Sequence, residues 1–277
     1  MNLSLFVGHN VVPVTKTVFP AGESCIRIDK HGIYKNSPNV KITMEFRNNG
    51  DLFDLALLVD AVRREFDAKC DISLYMPYLP YARQDRVMVA GESLSIKVVA
   101  DFINSLGFTT VYCEDIHSDV GVALINNLVH IKQEACAWSL PNFERPANTI
   151  LVSPDAGAAK KVFAVAKKLG YNEVVTASKK RDVASGLILK TMVELPDNFW
   201  HKDFLIVDDI CDGGRTFIEL AKAIKKDVNY SNERICLYVT HGIFSAGLEV
   251  FDGFIDKIYV HNLMKEEYNE HPLITIV

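Results

Sequence analysis

The sequence carries no surplus of basic charge. Its 30 Lys and Arg stand against 35 Asp and Glu, a net charge of -5. A dedicated nucleic-acid binder needs a basic footprint, so that class is excluded as an expectation. No apolar run reaches the roughly 20 residues of a membrane-crossing helix, and Met1 to Asn10 lacks the basic opening of a secretory signal. No membrane partner is expected. The cysteines Cys25, Cys70, Cys113, Cys136, Cys211 and Cys236 are scattered, with no C-x-x-C pair. A zinc module or a disulfide framework is therefore not expected. Most of these cysteines fall in or beside apolar runs and read as reduced, buried thiols of a cytoplasmic protein.

What is present is enough apolar material, 49% of 277 residues, for one large domain or two small ones. Strand-like and helix-like stretches alternate through both halves. That pattern predicts two α/β domains with mainly parallel sheets flanked by helices. Pro141 and Pro146 break the pattern, and a boundary near Pro141 gives domains of residues 1–140 and 141–277.

The most informative stretch is Phe204 to Lys226. Phe204 to Val207 is an unbroken apolar run, as in a buried parallel strand. Asp208 and Asp209 follow, then the tight loop Asp212-Gly213-Gly214-Arg215-Thr216. Phe217, Leu220, Ala221 and Ile224 then recur at helical spacing. Glycines allow close approach to a ligand, and helix N-terminal amides favour an anion. The loop suits a phosphate monoester. Carboxylates beside a phosphate suit sugar hydroxyls or a hydrated Mg²⁺. A sugar phosphate is the combined expectation.

Other stretches carry similar signals. Thr17 to Glu23 is a strand entering a turn, and Cys25 to Ile28 is its return. Asn49-Gly50-Asp51 is placed to cap a helix bearing Leu55, Leu58, Val59 and Val62. Tyr81-Ala82-Arg83-Gln84-Asp85-Arg86 follows a strand and a Pro-rich turn, where an arginine fork suits phosphate. Ser93 is a plausible cap for the next helix. Glu114-Asp115-Ile116-His117 ends a strand with a histidine among acids. Pro154 to Ala158 is a second small-residue loop before a helix. Ser178-Lys179-Lys180-Arg181-Asp182 is a basic run after a strand.

The strand, acid pair and glycine loop resemble the PRPP motif of the type I phosphoribosyltransferases, where PRPP is phosphoribosyl pyrophosphate. The combination P-Y-x-P-Y-A-R-Q-D-R, then S-x-K-x-x-A-D, then D-x-H is similar to the ribose-phosphate pyrophosphokinase (PRPP synthetase) family, and the resemblance runs from about Leu3 to Val260. It implies two phosphoribosyltransferase-like domains. It also implies transfer of the pyrophosphoryl group of Mg-ATP to the C1 hydroxyl of ribose 5-phosphate, giving PRPP and AMP.

On that resemblance, Phe19, Ala21, Gly22 and Glu23 match an adenine-receiving turn, with Arg83, Gln84 and Asp85 completing the ATP motif. Asp208, Asp209, Asp212, Gly213, Gly214, Arg215 and Thr216 match the ribose 5-phosphate segment. His117 and Asp155 match Mg²⁺ ligands, and Lys179 and Arg181 match the catalytic basic pair, with Arg181 also at ribose 5-phosphate. Thr240-His241-Gly242 through Ser245 matches a T-H-x-x-x-S segment. The family's adenine-receiving turn comes from a neighbouring subunit, which implies a dimer-based homo-oligomer, up to a hexamer. Three positions depart from the pattern: Ala21 stands for an aspartate, Gly91 for an arginine and Arg215 for a glycine. Two other activities use related parts: a PRPP-consuming phosphoribosyltransferase, and a non-catalytic regulatory subunit of a synthetase.

Overall fold

The computed structural model describes residues 2–29, 39–66, 70–181, 188–196, 199, 201–227 and 233–277. The chain divides into two compact units, Met1–Ile131 and Lys132–Val277. Pro141, where the sequence suggested a boundary, sits in a 3-10 turn of the second unit, Leu140–Asn142.

The first unit contains β1 (Leu3–Val7), β2 (Asn10–Val12), β3 (Val14–Val18), β4 (Ser24–Ile28), β5 (Asn39–Met44), α1 (Asn49–Glu65), β6 (Asp71–Tyr75), α2 (Ser95–Ser105), β7 (Thr110–Glu114), α3 (Asp119–Leu124) and β8 (Leu128–Ile131). Its main sheet has the order β2-β1-β5-β6-β7-β8. From β5 to β8 the pairing is parallel, while β1 runs antiparallel to both of its neighbours. Helix faces bearing Leu55, Leu58, Val62, Ile96, Ala100 and Ile103 pack on Leu5, Ile42 and Leu74 of this sheet.

Two caps differ from expectation. Helix α1 starts earlier, because Asn48 is the cap: its side chain accepts from the Gly50 amide at 2.9 Å. Asp51 accepts from the Asn48 and Arg47 amides at 2.8 and 2.7 Å, which completes a capping box. Helix α2 has Leu94 at its cap with no side-chain bond, and Ser93 instead meets Ser95 Oγ at 2.9 Å.

The second unit contains α4 (Gln133–Cys136), β9 (Thr149–Ser153), α5 (Ala156–Leu169), β10 (Glu173–Thr176), β11 (Ser178–Arg181), β12 (Ile188–Met192), β13 (Asp203–Cys211), α6 (Arg215–Asp227), β14 (Ile235–Gly242), β15 (Lys257–Leu263) and β16 (Ile274–Ile276). Its main sheet, in the order β10-β9-β13-β14-β15-β16, is parallel throughout. Strand β13 outruns the expected end at Val207, because β14 continues beside it to Gly242, opposite Cys211. The short strands β2 and β16 carry too little pattern to have been read.

None of the six cysteines is in a disulfide. Cys113, Cys136, Cys211 and Cys236 are buried, whereas Cys25 is exposed and Cys70 half-buried. Burial pushes the Cys113, Cys211 and Cys236 thiols up, so they stay protonated.

Among the described residues of the second unit, the most buried charged side chain is Glu144, 1% exposed. Its carboxylate accepts from Tyr259 Oη at 2.6 Å, Arg234 Nη2 at 3.0 Å and Cys236 Sγ at 3.4 Å. Burial, then the bond to Glu144, pushes the Tyr259 hydroxyl up, so it remains a donor. Arg234 is half exposed and keeps Asp203, so removing Glu144 strips the buried Tyr259 hydroxyl of its acceptor rather than stranding a charge, at about 1–3 kcal/mol. Glu144→Ala is expected to lose about that much, and Glu144→Gln, which keeps an acceptor for Tyr259, less. Urea unfolding followed by tryptophan fluorescence checks this, since Trp138 falls in the second unit.

Candidate active site

In the second unit, β13 ends at Cys211 and α6 begins at Arg215, so the glycine loop is only Asp212-Gly213-Gly214. Arg215 and Thr216 form the first turn of the helix. Gly214 has φ +77, and a Cβ there would meet the Phe251 ring at 2.4 Å. Glycine is needed twice over, by backbone conformation and by space.

The loop is held by a second one. The amides of Ile243 and Phe244 donate to Cys211 O at 2.8 and 3.1 Å, and the Ser245 amide donates to Asp212 O at 3.2 Å. Ser245 Oγ also donates to Asp212 Oδ1. The segment Thr240 to Ser245, a weak match in the sequence, is thus the template of the glycine loop. Phe244 and Phe251 meet edge-on beneath it, with centroids 6.1 Å apart.

The acid pair lies inside β13, not after it. Asp208 stands opposite Val239 of β14. Asp209 is 6% exposed and pairs with Lys161 of α5 at 3.0 Å. Strand alternation sends the two neighbouring acids to opposite faces. The loop after β9 is arranged differently from the glycine loop: Asp155 caps α5, accepting from the Gly157 and Ala158 amides at 3.0 and 3.2 Å. Those amides are engaged by the carboxylate. Lys179 and Arg181 lie on β11, opposite Thr191 and Ile188 of β12. Asp182 lies outside the described residues.

In the first unit, the turns after β6 and β7 come together. Asp85 pairs with Arg86 at 3.0 Å. The Arg86 guanidinium holds the Asp85 carboxyl below the usual range, with smaller contributions from Ser118 and His117. The two turns are neighbours: the Glu114 amide donates to Pro77 O at 2.9 Å, and a Cβ at Gly121 would stand 3.2 Å from Leu79 and 4.0 Å from Ala82. His117 itself is exposed.

Arg83 and Gln84 line a cleft of 620 Å³ together with Phe46, Arg47, Asn48, Asn49, Tyr78 and Tyr81. Phe46 stands 6.5 Å from Tyr78 and 6.4 Å from Tyr81, ring to ring. Tyr81 takes φ +64 and donates to Asn49 Oδ1. Sequence reading missed Phe46, Tyr78 and Asn49. The residues are ordinary in type, and only the pairing of β5 beside β6 puts their turns together.

The Phe19 turn is the tip of the β3–β4 hairpin. It closes with Phe19 N to Glu23 O and Gly22 N to Phe19 O, both 2.8 Å. Gly22 supplies φ +89, Ala21 is exposed, and the Phe19 ring is 49% exposed. Lys16 ties the hairpin to α1 through the buried Asp54 at 2.5 Å.

Gly214→Ala is expected to cost about 2–4 kcal/mol, from a left-handed backbone of about 1–2 and overpacking of about 1–3. Gly213→Ala meets only Ser245 Oγ at 3.8 Å and Ala246 Cβ at 3.9 Å, an ordinary contact. It is expected to cost less than about 1 kcal/mol. Urea midpoints of the two variants, measured side by side, check the difference.

Comparison with known proteins adds the lineage. A model of the N-terminal domain of ribose phosphate pyrophosphokinase matches residues 4–107. Ribose-phosphate pyrophosphokinase of Shewanella oneidensis is 32% identical over 222 residues, which is 76% of this chain and 66% of that protein. The same protein of Vibrio cholerae matches to the same extent. The match thus spans just under two thirds of these relatives' length. A phosphoribosylpyrophosphate synthetase structure from Mycobacterium smegmatis has the same fold, with TM-score 0.79 at 21% identity over 98% of this chain and 87% of that one. With the strand-acid-glycine loop in one unit and the R-Q-D-R turn beside D-x-H in the other, the chain belongs to the ribose-phosphate pyrophosphokinase family.

Proposed function

We propose that the chain is a ribose-phosphate diphosphokinase. The C1 hydroxyl oxygen of ribose 5-phosphate attacks the β-phosphorus of ATP. The bond from that phosphorus to the α–β bridging oxygen breaks, AMP leaves with that oxygen, and the hydroxyl proton is released. The observation that carries this reading is the glycine loop at the end of β13. It is pinned by the 243–245 loop and opens onto the N-terminus of α6, a cradle for a phosphate monoester.

In this reading Asp212, Gly213, Gly214, Arg215 and Thr216 hold the 5-phosphate and Asp208 the ribose hydroxyls. Arg83 and Gln84 hold ATP, and the aromatic walls of their cleft suit a planar base. The exposed Phe19 turn, with Ala21, Gly22 and Glu23, serves the ATP of a neighbouring copy in a dimer-based homo-oligomer. Lys179 and Arg181 neutralise charge that builds on the moving group.

Mg²⁺ is proposed at Asp155 in the second unit and at His117 in the first. Asp155 suits it, being a carboxylate fixed at a strand end by two amide bonds, and Mg²⁺ takes one or two such oxygens with phosphates and waters. The ion's contribution when bound is to neutralise the polyphosphate. A cytoplasmic location fits the phosphorylated substrates and the absence of disulfides among the six cysteines, and no described helix is long and apolar enough to cross a membrane.

AMP formation from Mg-ATP, measured with and without ribose 5-phosphate, tests the proposal. AMP that appears only with the sugar phosphate, matched by PRPP, is the expected result. AMP formation indifferent to the sugar phosphate overturns it. Lys179→Ala is expected to lower turnover by ~10²-fold or more, and near-normal turnover would remove Lys179 from the chemistry.

A further inference from the structure

The two acids of β13 do not share an environment. Leu205 and Val207 pack in one cluster with Val162 and Val165 of α5. Phe204 and Ile206 pack in another with Phe217 and Leu220 of α6. Continuing the two-residue period places Asp208 on the α6 face and Asp209 on the α5 face. The α6 face is the one that leads to the glycine loop.

Strand β9 pairs with β13 only as far as Val152 opposite Ile206. Beyond that point, the backbone of β13 has no ladder on the β9 side. Lys161 of α5 stands over that end: Nζ lies 3.0 Å from Asp209 Oδ2, with the lysine side chain 28% and the aspartate 8% exposed. Asp208 is fixed in turn, because its Oδ1 accepts from the Asp209 amide at 2.9 Å.

We propose that Lys161 is a positioning residue for ribose 5-phosphate. The pleat already leaves Asp208 as the carboxylate on the glycine-loop face; by compensating the buried charge of Asp209 on the α5 face, Lys161 fixes the strand end that carries Asp208. Helix α5 is the one capped by Asp155. The ion pair therefore also joins the loop after β9 to the acid pair of β13. Without the cation, Asp209 is a buried carboxylate lacking its ion partner. Hydrating that charge on the α5 face shifts the end of β13, and with it Asp208, whose Oδ1 is bonded to the Asp209 amide. The inference rests on the reading of the β13 loop as a ribose 5-phosphate site.

The test uses the full chain and five variants: Lys161→Met, Lys161→Arg, Asp208→Asn, Asp209→Asn and the double variant Lys161→Met with Asp209→Asn. Lys161→Met keeps the apolar stem and removes the charge. It is expected to raise KM for ribose 5-phosphate about tenfold, the order of one lost charge-assisted contact, with a smaller fall in kcat. Lys161→Arg is expected to restore most of that loss. Adding Asp209→Asn to Lys161→Met is expected to recover KM and melting temperature relative to Lys161→Met alone, because a buried amide needs no cation. Asp208→Asn is expected to be the more damaging of the two single acid changes. Losses that multiply in the double variant, or an unchanged KM in Lys161→Met with Asp208 and Asp209 equally sensitive, overturn the proposal. If the wild-type chain binds ribose 5-phosphate but forms no AMP, the activity reading fails alone, and the same comparison is made on calorimetric binding. A wild-type chain that neither turns over nor binds the sugar phosphate overturns both.

Discussion

A strand covered on both faces cannot put two consecutive side chains in one place. That constraint governs the second unit. Strand β13 lies between α5 and α6, and its apolar residues divide between two clusters by parity. When the polar residues begin, the same alternation continues. Asp208 and Asp209 look like a matched pair in the sequence, but the pleat sends them to opposite layers. Asp208 lies on the face that leads to the glycine loop. The other becomes a buried charge, and a buried charge requires a partner. Lys161 is that partner, so a residue from a different loop-helix unit enters the organisation of the site.

The glycine loop depends on its surroundings in a comparable way. A three-residue loop with a left-handed glycine has many conformations open to it. Here the choice is made by residues some thirty positions later, where the amides of 243–245 meet the carbonyls of Cys211 and Asp212. Phe251 fills the space where a Cβ at residue 214 would be. The cradle is therefore built from two consecutive strand ends, β13 and β14, and is as rigid as the parallel pairing between them. The first unit uses the same construction with different chemistry. The capping box engages the Gly50 amide at the start of α1, so in the proposed reading an anion in the neighbouring cleft meets arginine side chains rather than the helix N-terminus.

Legibility from the sequence followed the range of the interactions. The apolar run at Phe204, the helical stripe of Leu55 to Val62 and the glycine loop are local signals, and each appears within a residue or two of its expected place. The start of α1 was misplaced because Asn48, Asn49 and Asp51 are all good capping types, and only the backbone geometry selects among them. The end of β13 was misplaced because aspartates are poor strand formers by propensity, yet the ladder to β14 carries the strand through them. Phe46, Tyr78, Ser245 and Lys161 gain their roles only from which strands are adjacent, and no spacing rule reports that. Val87, Met88 and Val89, three exposed apolar residues after the R-Q-D-R turn, have no role that the fold explains.

The three departures from the family pattern have different physical weights. Gly91 has φ +88 in a turn where the Glu92 amide donates to Val89 O at 3.2 Å and Glu92 Oε2 accepts from Met88 N at 2.7 Å. An arginine there would be strained, so the glycine belongs with this particular turn and is not an isolated loss. Ala21 is exposed at a hairpin tip whose closing bonds come from the backbone of Phe19, Gly22 and Glu23, so the turn survives the change. Only Arg215 alters the electrostatics of the cradle. It is exposed in the first turn of α6, where the helix dipole disfavours a cation. A bound phosphate reverses that sign, because the dianion interacts favourably with both the helix N-terminus and the guanidinium. In the proposed reading, an arginine at this position thus weakens the empty helix and strengthens the occupied one, which biases the cradle toward a phosphate.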